Sequence, residues 1–484
     1  MDSLWGEEFN IKEDNTKNLL KKVNNPKTPV ILAEKAIKSK KVPIPEKLEL
    51  IRQNVIKVLG GIKDELAVLR TEESVRSYFD KAISIGIIAI DTETNNSLDP
   101  LTCLLMGACI YTPGEKRAYI PVNHTTIMGE RLSWQVREQF LKEQFERLKD
   151  TFIIMHNGKF DYEVIKCTCG VALHIDWDTM IGAKMLDENE QSAGLKQQYI
   201  DKIDPSQEKY DIEHLFDIEY ALVDPNVFAY YSAQDAYMTY RLYEWQKKQF
   251  ERPENERLYS AFKTIEMPIV IISAEMELTG CELDLDYCKR LSDKFHKRVD
   301  KADEVIRNIL ITYEPIIEQW SKTDEANYKP VNKANPNKLD KSKVEQLDKD
   351  NGRLTVSITS PIQLAILFYD ILKVGVVDKK QPRATGEDAL KDIAKKYPEH
   401  KPLCDAILSK RELEKLINTY IDALPQQISK RDGRLHGQYN QLGAKTGRFS
   451  SKEPNLQNIP AKVGEIRMMF SAGRGNMLVG SDFS

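Results

Sequence analysis

Two acidic residues placed two apart are the first feature of this chain that could do chemistry. Asp91 and Glu93 directly follow the apolar residues 87–90. A short isoleucine-rich run is typical of a strand buried on both faces, and side chains two apart on a strand point to the same side. Neighbouring carboxylates repel each other, and oxygen ligands suit a hard divalent cation. Alone, such a pair is typical of a solvated strand end, so a metal site requires further carboxylates.

Two later segments supply further acids. Asn157 follows a predicted strand over residues 151–155, and it is a good N-cap for a helix that would turn Asp161 towards the strand ends. Tyr231 and Asp235 lie four apart in a helical pattern and therefore share a face. Four acids are then available in order along the chain: Asp91, Glu93, Asp161 and Asp235.

Taken in order, these three motifs resemble the three exonuclease motifs of the DEDD family of 3′–5′ exonucleases, in the subclass with tyrosine in the third motif. The resemblance implies that the four acids hold two divalent ions, Mg²⁺ or Mn²⁺, and that Asn157 contacts DNA. It also implies that Tyr231 orients or helps to deprotonate the attacking water. An ordinary tyrosine has a pKa of about 10, so orientation is the easier role.

A second group of motifs lies near the C-terminal end. The sequence TGRFSS at residues 446–451 is followed by PNLQNIP at residues 454–460, and an apolar run then leads to Asp482. This order closely resembles the T-G-R-[LF]-S-S and P-N-L-Q-N-I-P signature of the family A DNA polymerases, which leads into their motif A. The resemblance implies that Asp482 is the first metal-binding aspartate of a polymerase palm.

The same signature indicates contacts with duplex DNA. The minor groove presents acceptors at nearly every base pair, and Arg448, Gln457 and Asn458 carry donors suited to them. The resemblance implies that Arg448 contacts the primer-template near the polymerase site. For Asn455, Gln457 and Asn458, turn chemistry between two prolines is the alternative.

Composition sets the class of protein. A chain of 484 residues predicts two or three domains, and 41% hydrophobic with 30% charged residues is typical of a soluble globular protein. No apolar run is long enough to span a membrane. Seven cysteines over this length indicate reduced thiols and therefore a cytoplasmic location. For an enzyme encoded by a phage, that location is the cytoplasm of the host cell. The net charge of −4 says little about one groove.

The order of elements predicts an α/β protein. Strands and helices alternate from residue 85, whereas long helical patterns dominate after residue 251. With the resemblance, this predicts a ribonuclease H-like exonuclease domain, then a mostly helical thumb and the first strands of a palm. The expected boundaries are 1–75 for a lysine-rich extension, 76–250 for the exonuclease domain, 251–430 for the thumb and 431–484 for the incomplete palm.

The end of the chain carries an expectation of its own. The residues up to 484 do not include the second palm aspartate or the fingers of a family A polymerase. We therefore expect that this chain does not polymerise alone. Three explanations for the end at residue 484 remain open: a second polypeptide that supplies the missing parts, an intein junction, and a truncation. We also expect a phage-type enzyme. A strand over residues 477–484 would have an unpaired edge at residues 477–479, which predicts a partner chain or local instability.

Three functions are consistent with these residues. The first is the N-terminal part of a replicative DNA polymerase that binds a primer-template duplex and proofreads a single-stranded 3′ end. The second is a stand-alone 3′–5′ exonuclease acting on DNA or RNA. The third is a non-catalytic DNA-binding subunit, against which the presence of all four acids and Tyr231 argues.

Overall fold

The computed structural model describes residues 42–187, 189, 193–207 and 215–481. The chain divides into two compact units, Met1–Gly280 with Gly437–Gln457, and Cys281–His436 with Asn458–Ser484. Within the described ranges, no helix is both long and apolar enough to cross a bilayer. The predicted palm aspartate Asp482 and the lysine-rich residues 1–41 lie outside the described residues.

The first unit is built on a six-stranded sheet in the order β1-β4-β3-β2-β5-β6. Strands β2, β3 and β4 form an antiparallel meander, whereas β1 is parallel to β4 and β5 is parallel to both β2 and β6. The strands are β1 Leu66–Val68, β2 Ile87–Thr94, β3 Leu105–Tyr111, β4 Arg117–Pro121, β5 Phe152–Met155 and β6 Trp177–Asp178. The predicted strands at Ile87, Leu104, Arg117 and Thr151 are confirmed.

Strand β2 lies at the centre of the sheet because its apolar residues are buried on both faces. Ile88, Ala89 and Ile90 have no exposed surface. Its register pairs Asp91 with Cys109 and Glu93 with Gly107 on β3. A Cβ atom at Gly107 would lie 2.5 Å from both the Tyr119 ring and the Ile120 carbonyl oxygen, so only glycine fits opposite Glu93.

Helices cover the sheet of the first unit. The longest helix of this unit, over residues 225–250, contacts all six strands, the last of them through Trp177. The helices are α1 Ile44–Leu59, α2 Glu72–Ile85, α3 Glu138–Glu146, α4 Gly158–Cys169, α5 Thr179–Leu186, α6 Leu195–Lys202, α7 Pro225–Phe250, α8 Glu256–Ala261 and α9 Met267–Thr279. Residues 44–75, assigned from the sequence to an extension, contribute α1 and β1 to this unit, and the apolar face of α1 joins its core.

One helix of this unit is shorter than predicted. The pattern over residues 134–148 predicts a helix, but α3 begins only at Glu138. The Gln135 side chain accepts from the His124 N–H at 2.9 Å and donates to the His124 carbonyl at 2.7 Å. These two bonds hold the preceding residues against a neighbouring loop, so they are not free to join the helix.

The second unit is mostly helical, as predicted for residues 287–320 and 361–424. Strand β7 Glu282–Leu283 leads into the 37-residue helix α10. The polar stretch after α10 contains the hairpin β8 Asp348–Asp350 and β9 Arg353–Thr355. The helices in this part are α10 Leu285–Ser321, α11 Asp324–Asn327, α12 Pro361–Ala365, α13 Glu387–Lys396, α14 Lys401–Leu416 and α15 Ala423–Gln426.

The last segments return to each unit in turn. Strands β10 Gln438–Asn440 and β11 Ser450–Lys452 pair as a hairpin in the first unit. Helix α16 Gly464–Arg467 and strand β12 Phe470–Ser471 belong to the second unit, where β12 pairs with β7.

The sequence predicts a strand from residue 477 onwards, and this prediction is wrong for residues 477–481, which are the part of it that the structure describes. Residues 477–481 have no regular structure, and Met477 and Val479 are 83% and 89% exposed. Gly473 and Gly475 have positive φ angles and turn the chain after β12. A strand needs a hydrogen-bonded neighbour, and none of the described strands lies beside these residues.

The close packing opposite Glu93 gives a test of the sheet register. We expect Gly107→Ala to destabilise the first unit by about 1–3 kcal/mol, because a backbone carbonyl must move to admit the methyl group. Scanning calorimetry of the variant measures the change. Gly61→Ala is the control, since nothing lies within 4 Å of a Cβ there. Equal stability of the two variants would contradict the register.

Candidate active site

The carboxylates of Asp91 and Glu93 project from the end of β2. Their oxygen atoms and the sulfur of Cys109, on the adjacent strand, all lie within 4.8 Å of one another. Cys109 was not identified from the sequence. Its position becomes apparent only from the register, which sets it directly opposite Asp91.

Asp161 reaches the same place from the first turn of α4. Its Oδ1 atom accepts hydrogen bonds from the Thr92 N–H at 2.8 Å and the Thr92 hydroxyl at 2.6 Å. Thr92 lies between Asp91 and Glu93 in the chain, so the strand that carries two of the acids also orients the third.

The start of α4 differs from the prediction. Asn157 precedes the helix, but its side chain makes no capping hydrogen bond, and its backbone is left-handed with φ of 60°. The carboxylate of Asp178 takes that role instead. It accepts from the N–H groups of Asn157 at 3.2 Å and Gly158 at 2.8 Å. The predicted capping role of Asn157 is therefore wrong, because a residue from the next strand occupies the capping position.

Asp178 also caps the next helix. It accepts from the N–H groups of Met180 at 2.8 Å and Ile181 at 3.2 Å, so one buried carboxylate serves the N-termini of α4 and α5. The pair Asp178-Thr179 before an apolar run is an N-cap signal for α5 that the sequence offered. No signal in the sequence connects Asp178 to α4.

Tyr231 and Asp235 come from α7, and both contact a lysine that the sequence analysis missed. The Lys196 ammonium group, on α6, donates to the Tyr231 hydroxyl at 2.5 Å and to Asp235 Oδ2 at 3.0 Å. It also lies 4.1 Å from the centre of the Tyr231 ring. Burial lowers the pKa of Lys196, but the carboxylates of Asp235, Glu93 and Asp91 together more than offset this, so the pKa lies above its usual value.

All six residues predicted for the exonuclease site line one cleft of about 670 Å³. The cleft also exposes apolar and aromatic side chains, of which Leu98 is 78% exposed. The predicted residues in its wall are Asp91, Glu93, Asn157, Asp161, Tyr231 and Asp235.

Crowding and burial shift the pKa values of these acids upwards. Burial, and then the neighbouring Asp235 carboxylate, raise the pKa of Glu93 to about 8. Burial raises the pKa of Asp161 to about 7, although the hydrogen bonds from Thr92 oppose the shift. The pKa of Asp91 is raised well above its ordinary value by burial and then by Asp161. These shifts are those of carboxylates that need a positive charge beside them.

The donor set fits divalent cations. Four carboxylates face one cleft, and Asp235 Oδ1 is buried without a hydrogen-bond partner among the described residues. Oxygen ligands of this kind suit Mg²⁺ or Mn²⁺, and an ion would satisfy the free oxygen. The thiol of Cys109 adds a soft donor beside two of the acids.

The residues predicted to contact duplex DNA lie elsewhere. In the first unit, Arg448 is exposed on the turn between β10 and β11, and Gln457 is exposed near the end of the segment. Asn455 Oδ1 accepts from the Gln457 N–H at 3.1 Å, which confirms the turn role considered for Asn455. In the second unit, the Asn458 carbonyl accepts from the Tyr420 hydroxyl at 2.7 Å, and its side chain is exposed.

Two family models match this chain. Residues 66–251 match the family model for the 3′–5′ exonuclease, and residues 330–484 match the model for DNA polymerase family A. The chain therefore contains one segment that matches the 3′–5′ exonuclease family and a second segment that matches part of the family A DNA polymerases.

Its curated relatives are DNA polymerases I. The chain is 30% identical over 438 residues to DNA polymerase I of Chloroflexus aurantiacus, an alignment that covers 87% of this chain and 40% of the relative. It is 28% identical over 461 residues to the Treponema pallidum enzyme, covering 85% of this chain and again 40% of the relative. The chain thus spans about 40% of the length of these relatives.

A solved structure shares the fold. The POL domain of Pol1 from M. smegmatis, in complex with DNA primer-template and dNTP, aligns with a TM-score of 0.60 at 20% sequence identity. The alignment covers 84% of this chain and 59% of that chain. At this identity the likeness concerns the fold alone.

The double cap predicts the stability role of Asp178. We expect Asp178→Ala to destabilise the first unit by about 2–4 kcal/mol, because two helix N-termini lose their acceptor. Asp224→Ala is the control, since Asp224 caps α7 alone, and we expect a loss of about 1 kcal/mol. Urea denaturation followed by circular dichroism compares the two. Equal losses would show that only one cap matters.

The raised pKa values predict how stability depends on pH without divalent ions. Glu93 and Asp161 titrate above the unfolded values of about 4.3 and 3.9, so the folded state binds more protons between those values and about pH 8. Their stabilising contribution is present below the unfolded pKa and is lost as pH rises through the folded pKa. In EDTA, the melting temperature of the full chain should therefore fall between pH 5 and pH 8.

Two comparisons test this origin of the pH dependence. Mg²⁺ should reduce the fall, and Glu93→Gln should flatten it, because the glutamine carries no charge to repel its neighbours. Asp64→Asn, at an exposed position, should leave the profile unchanged. An identical profile for the wild-type chain and Glu93→Gln would place the titration elsewhere.

Proposed function

We propose that the first unit removes nucleotides from the 3′ end of DNA by hydrolysis that depends on two divalent ions, Mg²⁺ or Mn²⁺. The observation that carries this proposal is the meeting of four acids from one strand and two helices in a single cleft. The residues that would hold the ions are Asp91, Glu93, Asp161 and Asp235. Ions bound there supply a water of lowered pKa and balance the charge on the leaving 3′-oxygen.

The protein groups around the ions have separate tasks in this proposal. Thr92 holds Asp161 in one orientation through two hydrogen bonds, and Asp178 holds the helix that carries Asp161. Burial and then the Asp235 carboxylate raise the pKa of Tyr231 above its ordinary value, so its hydroxyl stays protonated. Tyr231 therefore orients the attacking water and does not deprotonate it.

The cleft suits the last nucleotide of an unpaired strand. Its volume of about 670 Å³ lies within the range of about 300–1,000 Å³ that is usual for small-ligand sites. Asn157 lines the cleft with its side chain free of a capping role, so its amide is available to the nucleotide. Phe160 and the exposed Leu98 offer apolar surface on which a base can pack.

We propose that the rest of the chain serves a DNA polymerase in replication. By the boundaries expected from the sequence, residues 76–250 are then the exonuclease domain, 251–430 the thumb and 431–484 the start of the palm. The first unit as the structure divides the chain also includes residues 44–75, helices α8 and α9 and the β10–β11 hairpin. In this proposal Arg448, Gln457 and Asn458 contact the primer-template, and Asp482 is the first palm aspartate. The M. smegmatis structure, solved with primer-template and dNTP, supports the duplex as the partner.

The cellular setting is proposed on the same basis. The seven cysteines, all among the described residues, are free, which agrees with a reducing cytoplasm, the host's in the case of a phage enzyme. A second polypeptide that completes the palm, and a phage origin, stay predictions from the sequence.

Loss of one proposed metal ligand tests the exonuclease. With a 5′-labelled single-stranded oligonucleotide and Mg²⁺, we expect Asp91→Ala to lower the single-turnover rate of 3′-end digestion by more than about 100-fold. Substitution of a residue that hydrogen-bonds to a metal ligand lowers activity by up to about 100-fold, and loss of a ligand itself should lower it further. Asp64→Ala, which removes an exposed acid, should keep the wild-type rate, and EDTA should abolish digestion by both wild type and control.

Two results would overturn parts of this proposal. Undiminished digestion by Asp91→Ala would remove the four acids from the mechanism. Faster digestion of an RNA oligonucleotide than of the matching DNA would favour the stand-alone nuclease acting on RNA.

A further inference from the structure

Lys196 reaches the acid cluster from behind the cleft. It is absent from the residues that line the cleft, and it borders a second, small cavity together with Tyr231, Leu59, Ile200 and Met238. Its side chain is 21% exposed. The ammonium group therefore faces Tyr231 and Asp235 and does not face the space that a nucleotide would fill.

The bond from Lys196 decides how the Tyr231 hydroxyl can be used. An ammonium group has three donors and no acceptor, so the hydroxyl oxygen must accept in this 2.5 Å bond. The proton of the hydroxyl is then free to be donated elsewhere, and the Tyr231 side chain lines the cleft. Lys196 thus makes Tyr231 a hydrogen-bond donor towards the cleft.

The same ammonium group divides the tasks of the Asp235 oxygens. Oδ2 accepts from Lys196 at 3.0 Å, whereas Oδ1 is buried and has no hydrogen-bond partner among the residues that the structure describes. A buried carboxylate oxygen without a partner is unfavourable unless a cation or donor completes it. Holding Oδ2 from behind leaves Oδ1 as the oxygen presented to an ion.

The location of Lys196 is not explained by helix stability. It is the second residue of α6, where a positive charge opposes the helix dipole. What holds it there is packing of α6 against α7, through a cluster formed by Leu195, Tyr199, Met238 and Leu242. The packing fixes the ammonium group against two residues of α7 that are four apart.

We propose that Lys196 is a positioning residue of the hydrolytic site, which sets Tyr231 as a donor towards the attacking water and presents Asp235 Oδ1 to a divalent ion. This inference rests on the proposed exonuclease function and adds a residue to it. Two other roles are possible for a lysine here. It could be a purely structural ion pair, or it could bind a DNA phosphate directly.

A double-mutant cycle in the full 484-residue chain separates these roles. We expect Lys196→Met to lower kcat for digestion of a single-stranded DNA 3′ end by about 30-fold or more, with KM changed less than about threefold. In a Tyr231→Phe background, the factor by which Lys196→Met lowers kcat should be at least about five times smaller. The part of the effect that acts through the Tyr231 hydroxyl is already lost in that background. Lys202→Met, on the same helix beside Trp245, is the matched control and should keep the wild-type kcat.

Two measurements do not depend on activity. Lys196 offsets part of the repulsion among the acids when no ion is bound, so Mg²⁺ should raise the melting temperature of Lys196→Met more than that of the wild-type chain. Affinity for a single-stranded oligonucleotide in EDTA, followed by fluorescence anisotropy, should stay within about twofold of wild type, because Lys196 does not line the cleft.

Each outcome separates one role from the others. Equal losses of kcat in the two backgrounds would assign Lys196 a structural role, and a tenfold loss of DNA affinity in EDTA would assign it to phosphate binding. If Mg²⁺ raised the melting temperatures of Lys196→Met and the wild-type chain equally, Lys196 would not offset the repulsion among the acids, and that part of the proposal would be overturned. If the wild-type chain digests no DNA, the proposed function fails, while the melting comparison still tests whether Lys196 balances the acids.

Discussion

Repulsion among carboxylates in a poorly solvated cleft is the constraint on which the rest of this site depends. Asp91, Glu93 and Asp161 all have pKa values raised by burial and by acidic neighbours. Such an arrangement is unfavourable for the folded chain unless protons or cations occupy it. A protein keeps it only if the surrounding structure holds the acids in place, and the elements around the cleft are arranged to do this.

Three groups support the acids, two of them through Asp161 and one through Asp235. Thr92 fixes Asp161 through two bonds to one oxygen, and Asp178 fixes the turn from which α4 starts. Lys196 fixes Asp235 and supplies the one positive charge that contacts the cluster among the described residues. Most of the binding capacity of the acids therefore still faces the cleft, since each support uses a single oxygen of Asp161 or Asp235.

The sequence was sufficient for those parts of the site that short-range spacing determines. Asp91 and Glu93 could be placed on one side of a strand, and Tyr231 and Asp235 on one face of a helix, because both periods are local properties of the chain. Lys196, Cys109 and the cap that Asp178 provides for α4 could not be found in this way. Cys109 depends on the register of β3, Lys196 on how α6 packs against α7, and the cap at Asn157 on a residue 21 positions away.

The error at residues 477–481 has the same origin as these omissions. An apolar run predicts a strand only if a partner strand is in place, and pairing is a long-range property that the run does not contain. The opposite holds for the central strand β2, where apolar residues before Asp91 are paired on both sides by β3 and β5. The same kind of sequence therefore forms a strand at one position and not at the other.

Long-range contacts also bind the polymerase signature to the exonuclease unit. Lys159, in the first turn of α4, pairs with Glu277 of α9 at 2.5 Å and donates to the Tyr439 carbonyl at 2.7 Å. The Tyr439 N–H donates to the same Glu277 carboxylate. Tyr439 belongs to the hairpin whose turn carries Arg448, and α4 also carries Asp161. Displacement of this hairpin would disturb the ion pair at the start of the helix that carries Asp161. Separating a buried ion pair costs more free energy than separating an exposed one. Within the first unit, the segment that resembles a polymerase is therefore linked by direct contacts to the helix that carries one of the acids of the cleft.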